Sequence, residues 1–127
     1  MPLIKRFEDI RAWQEARRLT QQIYQLSASG PFAQDFGLRN QIRRAAVSAM
    51  TNIAEGFDCE SKREFIRFLG IARRSAVEVQ SLLYAALDVG HINQETFQEH
   101  YAQALKSRPS SALSSILSLN ARNLPDP

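Results

Sequence analysis

Apolar residues recur by threes and fours along most of the chain, the spacing of one face of an α-helix. The first run is Ile10, Trp13, Ala16, Leu19, Ile23 and Leu26. It predicts a helix over about 9–27, closed by Gly30-Pro31. A second helix is expected over 35–56, with Asp35 as N-cap and Gly56 as its end. Leu38, Ile42, Ala45, Ala46, Ala49 and Ile53 share its face, and the many alanines let a neighbouring helix come close.

The third helix, 61–89, has the clearest start. Ser61-Lys62-Arg63-Glu64 reads as a capping box, in which the serine oxygen takes the Glu64 N–H and the glutamate reaches back. Gly90 is the expected residue after its end. A fourth helix, 93–120, starts at the N-cap Asn93 and carries Phe97, Tyr101, Ala104 and Leu105. Pro109 interrupts it, since an interior proline forfeits a backbone hydrogen bond. Ser107 or Ser110 is the candidate cap of a second piece with Ala112, Leu113, Ile116 and Leu117, and Asn123 to Pro127 is expected to fray.

No strand pattern competes, because no apolar/polar alternation is bracketed by turn dipeptides. The expected fold is all-α: one up-down four-helix bundle domain over 1–127, its fourth helix kinked or broken near Pro109.

At about 100° per residue the third helix carries three stripes. Phe65, Phe68, Leu69, Ala72, Ala76, Val79, Leu83 and Ala86 form the core face. Ile66, Val77 and Tyr84 form a second apolar line, about 100–120° round from it. Arg63, Arg67, Arg74 and Ser81 lie opposite the core. The second line either widens the core contact or meets another subunit. Trp13, Tyr24 and Phe57 exceed what four thin stripes need, which favours the subunit interface and a closed homo-oligomer.

Charge sharpens this picture. The chain of 127 residues is only mildly basic, with a formal net charge of +3. The basic excess is concentrated between Arg39 and Arg74, where Arg39, Arg43, Arg44, Lys62, Arg63, Arg67, Arg73 and Arg74 face only Glu55, Asp58, Glu60 and Glu64. Hydrophobic content of 44% suits a packed core and not a disordered chain. One cysteine, Cys59, allows no internal disulfide, and a reducing cytoplasm fits best. Met1 to Asp9 has no apolar stretch resembling a signal peptide, and no long apolar run is expected to span a membrane.

Catalytic chemistry finds little support. Neither His91 nor His100 follows a glutamate by three residues, as a di-iron bundle requires. One Cys and two His do not make a usual zinc site, and no glycine-rich phosphate loop is present. Helical-bundle ribonucleases of similar size place an arginine a few residues before a histidine, and here none lies within the eight residues before either. His91 reads as a polar turn residue, and acidic neighbours disfavour a Cys59 thiolate. No cofactor or metal is expected. In the polar cluster Asn52-Ile53-Ala54-Glu55-Gly56, Asn52 is expected to bond a loop and Gly56 to stop the helix.

These residues taken together resemble a known family. Phe7-Glu8-Asp9-Ile10 with Trp13-Gln14, Phe36-Gly37-Leu38, Gln41-Ile42-Arg43-Arg44-Ala45-Ala46, Ser48, Asn52 to Gly56, Glu64-Phe65, Arg67 to Ala72, Ser75 and Glu78 are similar to the four-helix bundle proteins encoded in intervening sequences of bacterial 23S ribosomal RNA genes. The resemblance spans about residues 7–92. It implies a homopentameric bundle without established enzyme activity. A distantly similar group, the accessory proteins of diversity-generating retroelements, is pentameric and binds nucleic acid and a reverse transcriptase. Pro109 and the serine-rich stretch after it depart from the leucine-rich fourth helix of the family.

Three functions are then in view. A non-catalytic assembly would bind RNA or other nucleic acid through Arg39, Arg43, Arg44, Arg63, Arg67 and Arg74, with each subunit repeating the patch. Alternatively, Arg63 and Arg67 pair with Glu60 and Glu64 as an ordinary solvated face. A protein–protein scaffold, such as an accessory subunit of a nucleic-acid enzyme, would use the same surface. An enzyme would need a pocket around Asn52 or Glu55. The first of these is the expectation.

Overall fold

In the computed structural model, residues 4–110 and 113 are described. A 3-10 turn, Phe7–Asp9, leads into α1 (Arg11–Leu26). A short helix, α2 (Gly30–Gln34), precedes α3 (Phe36–Asp58), α4 (Lys62–Asp88) and α5 (Gln94–Lys106). No strand occurs among the described residues. The long helices stand at the corners of a square: α1 packs on α3 and α5, and α4 packs on the same two.

Local signals explain most of the helix boundaries. Asp35 caps α3 by accepting from the Leu38 N–H, and Asn93 caps α5 by accepting from Thr96. The end of α4 is a Schellman motif. Gly90 takes φ +82°, its N–H bonds the Leu87 carbonyl, and the His91 N–H reaches Ala86. The capping box at Ser61 is half formed. Ser61 Oγ accepts from Glu64 N at 3.4 Å, but the Glu64 carboxylate turns forward to Arg67 and leaves the Ser61 N–H alone. The i,i+3 guanidinium offers this carboxylate two charged donors where the box offers one backbone N–H.

Three boundaries differ from expectation. Gly30-Pro31 does not merely close α1; it opens α2, with proline in the first turn where its missing N–H costs nothing. Gly56 does not end α3, which continues to Asp58. The fourth helix stops at Lys106, with Ser107 as its C-cap, before Pro109 is reached. Residues 111–112 and 114–127, including Ala112, Ile116, Leu117 and the tail expected to fray, lie outside the described residues.

The core has three layers. At one end Leu19, Ile23, Ile42, Val79, Leu83 and Phe97 pack together. At the other, Ile10, Ile53, Phe57, Phe65 and Leu69 form a second cluster, against which Leu113 rests. Between them, Ala16, Ala49 and Ala76 meet as an alanine waist. Small side chains here bring α1, α3 and α4 close. Beside the waist α5 uses a buried polar link: Gln103 Nε2 donates to the Glu15 carbonyl at 2.9 Å and lies 3.3 Å from its carboxylate.

Candidate nucleic-acid interface

The α4 stripes fall where their spacing put them, apart from Phe68, which is only half-buried. Phe65, Leu69, Ala72, Ala76, Val79, Leu83 and Ala86 are buried. Arg63, Arg67, Arg74 and Ser81 are exposed and form an outer ridge. Arg63 and Arg74 make no ion pair among the described residues. Arg67 bonds Glu64 through Nε and Nη2 and covers the Phe68 ring at 4.6 Å. That bond, together with the charge of Arg63, holds the Glu64 carboxyl below the usual carboxylate range, and the carboxylate in turn raises Arg67.

The α3 arginines divide. Arg43 is turned inward: Nε donates to Ser27 Oγ at 2.8 Å, Nη2 to the Tyr24 carbonyl at 3.2 Å, and the guanidinium covers the Tyr24 ring. Arg39 donates to the Ala33 carbonyl and to Asn40, and stacks on Phe36. Both brace the α1–α2–α3 corner. Arg44 is exposed and lines an open groove between α3 and α4, with Gln41, Ser48, Ser75 and Glu78.

The floor of that groove is a short polar chain. Ser48 Oγ lies 2.8 Å from Ser75 Oγ, and Asn52 Nδ2 donates both to Ser48 Oγ and to the Ser48 carbonyl. Asn52 thus bonds its own helix and not a loop. Gly56, two turns from Ser48, is buried against α4. A Cβ built there would lie 2.6 Å from Phe68 Cβ and 3.2 Å from Phe65 Cδ1. Its role is close helix approach, while Glu55 points outward and is exposed.

Ile66, Val77 and Tyr84 remain 47%, 41% and 50% exposed. Tyr84 is partly spent within the chain, its ring 4.7 Å from Phe97 and 5.9 Å from Tyr101. The other surplus aromatics find partners: Trp13 packs edge-on against Phe7, Tyr24 lies under Arg43, and Phe57 meets Phe65.

His91 is more than a turn residue. Its Nε2 lies 2.9 Å from Asp35 Oδ2, and its ring stacks on Phe32. No local spacing signals this contact. Among the described residues no group of three His, Cys, Asp or Glu side chains is placed to hold a metal ion, and no helix is long and apolar enough to cross a membrane.

Residues 8–109 match the family model described as 23S rRNA-intervening sequence protein. None of the curated proteins matches the sequence. A crystal structure of a protein of unknown function from the S23 ribosomal protein family of Bacteroides thetaiotaomicron superposes with a TM-score of 0.72 at 22% identity. The match covers 84% of this chain and 97% of that one, a likeness of fold.

Proposed function

The chain belongs to the 23S rRNA-intervening sequence protein family, and from that footing we propose that it is a non-catalytic homo-oligomer that binds nucleic acid through the outer ridge of α4. The carrying observation is that Arg63 and Arg74 stand exposed and make no ion pair among the described residues, on the same face as Arg67. Guanidiniums at positions 63, 67 and 74, spaced by one to two helical turns, suit successive phosphates, which are recognised by charge and not by base identity. Few charges per subunit give weak binding, and repetition around an oligomer makes it multivalent.

Self-association is supported by Ile66 and Val77, apolar side chains left 47% and 41% exposed on α4. A pentamer is the size the family resemblance implies. The cytoplasm suits a chain with a single thiol and a nucleic-acid ligand.

The test is a titration of single-stranded RNA and duplex DNA against wild type and an Arg63→Ser/Arg67→Ser/Arg74→Ser variant, at low and physiological salt. Wild type is expected to bind at low salt, to lose affinity steeply as salt rises, and to bind more tightly than the variant. Wild type that binds neither polymer at low salt ends the nucleic-acid reading, and the ridge then serves a protein partner.

A further inference from the structure

Two unlike surfaces flank the arginine ridge of α4. Counted from Phe65 at about 100° per residue, Arg73, Ile66, Tyr84 and Val77 fall at about 80–120°. They lie on the α4–α5 side of the bundle, as the contact of Tyr84 with Phe97 and Tyr101 confirms. In the opposite sense, Ser75 and Glu78 fall about 80–140° from Phe65, on the α3–α4 side, where Ser75 meets Ser48 and Glu78 meets Gln41. One surface is apolar with a cation in it: Arg73 is exposed and makes no ion pair among the described residues. The other is a polar groove with a small-residue floor, an anion, Glu78, on its α4 wall and a cation, Arg44, on its α3 wall. Glu78 is exposed, accepts from Gln41 Nε2 at 3.4 Å and makes no ion pair among the described residues. Arg73 and Glu78 point to different sides of one helix and cannot neutralise each other within a subunit.

We infer that the α4–α5 face of one copy docks into the α3–α4 groove of the next, pairing Arg73 with Glu78 and turning the Arg63/Arg67/Arg74 ridge toward the axis of a closed ring. The inference rests on the oligomer proposed above and specifies its contacts. A square bundle sets its two neighbouring sides at about 90°, and a contact between unlike faces that repeats at about 90–108° closes a ring of roughly four or five copies. The ridge, about 160–200° from Phe65, bisects the two faces and therefore looks inward. Rotation about an axis parallel to α4 keeps each residue at its own height. Val77 then meets the Ser75–Glu78 level of its neighbour, and Arg73 lies about 7 Å along the axis from Glu78, within reach of the two side chains.

The experiment uses the full chain in a Cys59→Ser background, with the oligomeric state of wild type measured by light scattering. Val77→Cys with Gln41→Cys is expected to oxidise into a ladder of linked subunits ending at the ring, whereas Val77→Cys alone stays unlinked. Arg73→Glu should weaken assembly at least tenfold, and Arg73→Glu/Glu78→Arg should restore it. Dimers formed by Val77→Cys alone, or an oligomer that neither cross-links in the double cysteine variant nor recovers in the charge swap, would overturn the face pairing while leaving self-association standing. A wild-type monomer would remove both.

Discussion

His91 Nε2 sits 2.9 Å from the carboxylate of Asp35, joining the α4–α5 turn to the start of α3 across 56 residues of sequence. Asp35 thereby has two roles, since its other oxygen caps α3 through the Leu38 N–H. Phe32 in α2 stacks on the imidazole and completes a clasp at this end of the bundle.

The clasp has a pH signature. The hydrogen bond from His91, then that from the Leu38 N–H, lowers the Asp35 pKa. A depressed carboxylate contributes stability that is fully present above its unfolded value and is lost as pH falls through the folded one. Asp35→Asn keeps an oxygen for the cap but removes the charge. Wild type should therefore unfold at a higher temperature than Asp35→Asn at neutral pH, and the two melting temperatures should converge in acid below the ordinary carboxylate range. A gap that stays constant throughout acid titration would show that the charge of Asp35 does not act.

Gly56 tests how closely α3 and α4 must approach. Alanine is the better helix former by about 1 kcal/mol, so at an open site the substitution would stabilise. Here the new methyl meets Phe68 Cβ at 2.6 Å, and a Cβ moves only with its backbone. Overpacking of this kind costs about 1–3 kcal/mol, so Gly56→Ala should lower the urea midpoint despite the propensity gain. At Gly70 the nearest obstacle is the mobile end of Arg74 at 3.5 Å. Gly70→Ala should raise the midpoint at equal protomer concentration.

Ser61 and Glu64 separate the two halves of a capping box. The serine cap exists but is long, at 3.4 Å. Ser61→Ala should therefore cost roughly 0.5–1 kcal/mol, the lower part of the range for lost N-caps. Glu64→Gln should leave the cap intact and change only the pairing with Arg67. Equal losses in denaturant titration for both variants would restore the reciprocal box.

What was legible in the sequence was whatever depends on neighbours along the chain. The three-and-four spacing placed four long helices, Asp35, Ser61 and Asn93 announced their starts, and Gly90 announced an end. The α4 stripes followed from the same periodicity. Features set by distant residues were not legible. Phe32 sits in a five-residue helix too short to show a period. Gly56 looked like a stop because its packing partners belong to another helix. Glu15 and Gln103 meet across 88 residues, and nothing local distinguishes them from surface residues. The arginines show the same divide: their exposure on α4 was readable, but the inward bonds of Arg43 depend on how α1 ends.

That divide predicts opposite phenotypes for arginines that composition treats alike. Arg43 bonds Ser27 Oγ and the Tyr24 carbonyl while covering the Tyr24 ring. Ser27 is buried, and its hydroxyl also donates to the Ile23 carbonyl, so losing the guanidinium strips a partner from a buried hydroxyl. Hydrogen bonds to charged groups contribute about 1.5–3 kcal/mol, and Arg43→Ala should lower stability by an amount of that order. Its effect on nucleic-acid affinity, measured where both proteins are fully folded, should be small. Arg63 and Arg74 make no hydrogen bond or ion pair among the described residues. Arg63→Ser/Arg74→Ser should leave the unfolding free energy within about 0.5 kcal/mol of wild type, as surface changes do. It should also flatten the dependence of affinity on salt, by about 0.7 in the log–log slope for each single-strand phosphate that an arginine no longer neutralises. Melting curves and salt titrations on the same two variants separate the roles. If Arg43→Ala lost the salt dependence and the ridge variant kept it, the binding surface would lie at the α1–α3 corner instead of along α4.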